Sequence, residues 1–195
     1  MLANLVCALV VAAVATRFVP ARGARTARAV IAVLVFGWML LPFPWGGAGW
    51  VLAFAGHFSL TSMLLALAAL VCRLHGRALV ADSEMRALCA LVLLTALVFY
   101  PSSLGAISFD AYALGFGDFR FSTALLLLGM AAWIVRAYAG CVVLIVAQCG
   151  YAVGALPSDN LWDYLLDPWL VFWAAGWLLR DLRRRPATTG APVSA

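Results

Sequence analysis

Charge is the scarcest property of this sequence. Of 195 residues, 11% are charged and 66% hydrophobic, whereas soluble domains carry about 25% charged residues. That excludes an ordinary water-soluble globular domain and leaves an all-α integral membrane protein. Lysine is missing altogether, so the thirteen basic residues are all arginine. They fall in separate connecting segments and one tail, which makes the net charge of +5 no nucleic-acid footprint. Cys7, Cys72, Cys89, Cys141 and Cys149 lie in or beside apolar runs, without C-x-x-C spacing or a paired histidine pattern. A disulfide framework is thereby excluded, no metal site is expected, and the thiols read as small buried apolar groups.

Motifs are missing too. The chain lacks the Ser-Gly-His of lipid-phosphate phosphatases, its Arg185-Pro186 pair standing alone before the tail, and it lacks the Gly-x-Ser of rhomboid proteases. The spaced inner aspartates of CDP-alcohol transferases and the glycine-rich cytoplasmic motifs of glycerol-phosphate acyltransferases are also absent. Nothing specifies a cofactor.

What is present is a series of apolar runs. A spanning helix needs about 20 apolar residues, so the length has room for six or seven spans and no soluble domain. Residues 1–185 read as one transmembrane helical domain and 186–195 as a disordered cytoplasmic tail. The first run, 1–15, resembles a signal peptide, but no positive segment precedes it and Arg17, Arg22, Arg25 and Arg28 follow, so it is expected to be retained. Runs at 29–41, 51–71 and 87–100 read as the next three spans, the second ended by the Pro/Gly-rich segment 42–50. The run 121–154 would make a helix of about 50 Å, too long for one crossing of a hydrocarbon core about 30 Å thick. It is expected to fold as a hairpin turning at Arg136, and 169–179 is the last span.

Seven spans with the amino end outside put twelve arginines on the inner side and Arg120 alone outside. Asp110, Asp118, Asp159, Asp163 and Asp167 fall outside. This is the positive-inside asymmetry of a multi-pass protein, here of a bacterial inner membrane. Ion-coupled transport is disfavoured, because no carboxylate and no broken helix is visible at mid-depth.

The segment 157–169 concentrates acids and rings. Asp159, Asp163 and Asp167 recur every fourth residue, with Trp162, Tyr164 and Trp169 beside them. Pro168 leaves two geometries, one kinked helix or a short helix followed by a second that Asp167 caps. The acids read either as caps with interfacial rings or as a binding patch. The binding expectation names Asp159, Trp162, Asp163, Tyr164, Asp167 and Trp169. It makes the protein an accessory or scaffold subunit of cell-envelope biogenesis, in the lipid bilayer. Its partner would be a membrane or periplasmic protein, or an envelope glycan or lipid head group. The alternative is an outer-leaflet transferase or hydrolase acting on a lipid-linked or phosphorylated substrate, with His57, Asp110, Asp118 and Arg120 as catalytic candidates. Convergence of those side chains would separate the two.

Overall fold

A computed structural model describes residues 1–20 and 24–184, so Arg22, Arg185 and the expected tail 186–195 lie outside the described residues. Among those described there is helix and no strand. The helices are α1 (Leu2–Thr16), α2 (Ala24–Met39), α3 (Gly47–Ala55), α4 (Leu60–His75) and α5 (Asp82–Ser103). After a 3-10 turn at Tyr112–Gly115 come α6 (Phe119–Ile134), α7 (Tyr138–Ala152), the one-turn α8 (Trp162–Leu165) and α9 (Pro168–Arg184). α1 packs on α2 and α4, α6 on α7, and α5 on α9, while α7 sits against both α4 and α5.

The ends of these helices follow local chemistry. α5 begins with Asp82 and Glu84 in its first turn, where carboxylates favour the positive end of the helix. α4 stops at Gly76, whose left-handed backbone (φ +72°) lets its N–H reach the Cys72 carbonyl at 2.9 Å. α6 and α7 form a hairpin around Arg136, held at φ +62° between its helices as the length of the run requires.

Two expectations change. The run 51–71 is not one span, because the chain leaves helix at Gly56 (φ +75°) and re-enters it at Leu60 with Ser59 as the cap. Residues 57–60 carry no local signal strong enough to stop a helix, and the partner that stabilises the break lies more than a hundred residues away. Second, only α5 among the described helices is long and apolar enough to cross a membrane. α1, α4, α6 and α7 are apolar but have 15 or 16 residues each, about 24 Å at most. Helix length alone therefore does not establish seven crossings.

Small residues line part of the helix contacts, beside large buried ones such as Met39, Leu161 and Tyr164, while many other large side chains face outward. Cys7, Ala8 and Ala12 of α1 and Ala147 of α7 are fully buried, whereas Val33, Leu97 and Phe172 are about 70% exposed. Gly150 shows how close the backbones come: a Cβ there would run into the Leu60 side chain and touch the Tyr164 ring at 3.4 Å. Small residues at helix contacts permit this approach. Gly150→Val is accordingly expected to destabilise the bundle by about 1–3 kcal/mol, read from unfolding of the purified protein in graded SDS. Wild-type resistance to SDS would show that this crossing has slack.

Candidate binding face at the carboxylate pole

The carboxylates that the sequence places together are separated by the fold into distinct tasks. α8 ends at Leu165, Leu166 is extended, and α9 starts at Pro168, so the chain makes two helices rather than one kinked helix. Asp167 stands between them. Its Oδ1 accepts the Leu170 N–H at 2.8 Å, capping α9. Its Oδ2 accepts three further bonds, from the Ser59 N–H at 2.9 Å, the Ser59 hydroxyl at 2.7 Å and the Ser62 hydroxyl at 2.6 Å. Ser59 in turn caps α4 by accepting the Ser62 N–H. One carboxylate, 3% exposed, thus faces the positive ends of two helices. A charge so buried is tolerable only with such a full set of donors.

Asp163 accepts the Ser158 hydroxyl at 2.5 Å and the Tyr112 hydroxyl at 3.3 Å. Partial burial, with the Asp163 charge and hydrogen bond adding to it, raises the Tyr112 pKa above the ordinary phenol value. The bond is therefore present through neutral pH and is lost as pH rises through that raised pKa. Asn160, fully buried, donates to the Tyr112 carbonyl at 2.9 Å and accepts the Trp162 N–H at 2.9 Å. The Trp162 indole donates to the Ala111 carbonyl at 2.8 Å and lies between Phe99 and Phe121, ring centroids 4.6 and 4.7 Å away. Gly115 has to be glycine, because a Cβ would collide with the Asn160 amide. These contacts clamp loop 104–118 onto segment 157–166.

The remaining candidates are dispersed. Asp110 accepts the Tyr112 and Ala113 N–H groups at 2.9 and 3.3 Å, and Asp118 caps α6 through the Phe121 N–H at 3.0 Å. His57, Asp159 and Arg120 are exposed, with no hydrogen bond or ion pair among the described residues. No three His, Cys, Asp or Glu residues come together there as a metal site would require. Of the residues expected to bind, Tyr164 and Asp167 are buried, and the Tyr164 hydroxyl lies 3.0 Å from the Leu156 and Ser158 carbonyls. Trp162 and Asp163 are half-buried; Asp159 and Trp169 reach the surface, with the Trp169 indole donating to the Ala55 carbonyl at 3.0 Å. The exposed face also carries Ile107, Phe109, Phe116 and Phe119. Sequence reasoning missed Ser59, Ser62, Ser158 and Asn160. Ser59 and Ser62 had a signal in the spacing of a helix cap, and Ser158 and Asn160 in the turn-forming Pro-Ser-Asp-Asn.

The opposite end of the bundle is basic. Arg73 donates to the Ala13 carbonyl and to the Thr16 hydroxyl, bringing the ends of α4 and α1 together. Arg25 lies beside Gly76, Arg86 pairs with Asp181 at 3.2 Å, and Glu84 accepts the Ala139 N–H beyond the Arg136 turn. The chain matches no family model, no curated protein and no solved structure.

Replacing Asp167 by alanine strands four donors and is expected to cost more than about 3 kcal/mol, against roughly 1–2 kcal/mol for Ser59→Ala. Asp159→Ala, on the exposed surface, should stay within about 0.5 kcal/mol of wild type. Denaturation of the three purified variants gives the order. Equal stability of Asp167→Ala and Asp159→Ala would refute the bracing role.

Proposed function

We propose that the chain is a multi-pass bacterial inner-membrane protein of seven crossings, with α4 making the third, α3 a separate short helix before it, and the amino end outside. It works by association, as an accessory or scaffold subunit in cell-envelope biogenesis. The observation that carries the reading is the sorting of charge to two poles across an apolar-surfaced bundle. In support, helix-end contacts gather the described arginines other than Arg120 toward one end of the bundle, and Asp110, Asp118, Asp159, Asp163 and Asp167 lie toward the other. The positive-inside bias makes the arginine pole cytoplasmic. Exposed apolar side chains such as Val33, Leu97 and Phe172 suit acyl chains far better than water.

The outer face supports association rather than turnover. Asp110, Asp118, Asp163 and Asp167 already accept hydrogen bonds from their own chain. What the face offers outward is a clamped, rigid surface of rings with Asp159 and Arg120 at its rim. Such a surface suits a membrane or periplasmic protein, a glycan or a lipid head group. The outer-leaflet enzyme reading draws on no specific observation.

With the five native cysteines replaced, a cysteine at position 159 should react with a membrane-impermeant maleimide on intact cells. One at position 77 should react only after permeabilisation, and the reverse pattern overturns the orientation. A photo-crosslinker at Phe116 should give a discrete adduct that the Asp159→Lys variant loses while still inserting. A crosslinking pattern no different from that at lipid-facing Leu97 would count against the docking face.

A further inference from the structure

A cleft runs along the side of the bundle where α9, packed on α5, stands off from α1 and α4. Its upper part, about 510 Å³, is walled by Val10 and Ala13 of α1, Leu65 and Ala69 of α4, and Leu170 and Trp173 of α9. Near the carboxylate pole Trp169 borders it, tied across to α3 through the Ala55 carbonyl. Val14 and Phe172, one on each lip, are exposed, so the cleft opens sideways. Toward the arginine pole it widens into a second chamber of about 700 Å³ that shares Leu65, Ala69, Arg73 and Trp173 with the first. Both volumes lie in the range of small-molecule sites, about 300–1,000 Å³.

The second chamber differs in chemistry. Arg17, Arg73, Arg86, Arg180 and Arg184 line it, with Asp82 and Asp181 as the acids, and Asp181 is engaged by Arg86. The α9 arginines complement the negative end of their own helix. Arg17 and Arg73 likewise stand at the ends of α1 and α4, with Arg73 bonded to the Ala13 carbonyl; what such helix-end roles leave over is that guanidinium groups from α1, α4, α5 and α9 line one chamber. Guanidinium groups converging without matching carboxylates form an anion site, above all for phosphate. Joined to an apolar slot open to the side, they call for a molecule with both properties. A second copy of this chain would need an acidic ridge to match, and the described acids of this pole are only Asp82, Glu84 and Asp181.

We propose that this cleft binds an anionic amphiphile, its acyl chain lying in the slot between α1, α4 and α9 and its phosphate among Arg17, Arg73, Arg180 and Arg184. The occupant is a phospholipid or lipid phosphate of the inner leaflet. The site lies at the opposite pole from the docking face and stands or falls independently of it; only the choice of the inner leaflet rests on the orientation proposed above.

The test uses the full chain in a non-ionic detergent, with thermal unfolding followed against added hexadecyl phosphate. Saturable stabilisation is expected, and neither hexadecanol nor inorganic phosphate at the same concentration should reproduce it. The Arg17→Gln/Arg180→Gln double variant should bind roughly tenfold or more weakly. Arg183→Gln, outside the cleft, should bind as wild type. Ala69→Phe, which fills the slot and keeps every arginine, should also lose the effect. Equal stabilisation by hexadecanol would reduce the cleft to an apolar gap, and a full effect of inorganic phosphate would make it a free-anion site; either overturns the proposal. So does an unchanged affinity of the double arginine variant.

Discussion

The contact between Asp167 and the Ser59–Ser62 turn is the constraint on which the rest of the architecture depends. It joins the start of α4 to the start of α9, and each helix alone would present unsatisfied N–H groups to an apolar interior. The carboxylate takes three bonds from that turn and one from the Leu170 N–H. With it in place, α3 ends at Gly56 as a separate short helix, and the start of α9 is tied to the start of α4. Without it, the four donors would have no acceptor and the break would have no reason to persist.

Elsewhere the bundle mixes two kinds of contact. Alanine, glycine and cysteine let some helix backbones approach closely, while Met39, Leu161, Tyr164, Phe99 and Leu170 interlock in the core. Polar groups are confined to the two ends, where they do different work. At the carboxylate end they cap helices and clamp loops; at the arginine end several remain directed into open space. That contrast makes the first end a rigid surface and the second a site able to accept a ligand.

Much of the helical layout was legible in the sequence because apolar runs and their interruptions need no distant partner to be interpreted. The α6–α7 hairpin followed from length alone, and Pro168 narrowed the carboxylate segment to two geometries, one of which occurs. The i, i+4 spacing of Asp159, Asp163 and Asp167 misled, since it assumed a helix that lasts only one turn at α8. The α3–α4 break was illegible for a complementary reason: Gly-His-Phe-Ser inside an apolar run states no preference strong enough to stop a helix. The roles of Asn160 and Gly115 arise from two loops meeting, which no local pattern encodes.

The 108 residues that separate Ser59 from Asp167 also set a temporal order on the making of this protein. A chain emerging from the ribosome delivers α3 and α4 long before α9, and through that interval the serine turn has no carboxylate to satisfy it. The arrival of Asp167 is thus the event that satisfies the serine turn. Any chain cut short before it keeps an open, hydrogen-bond-hungry turn in its apolar interior, a lasting signature by which a truncated product differs from a finished one.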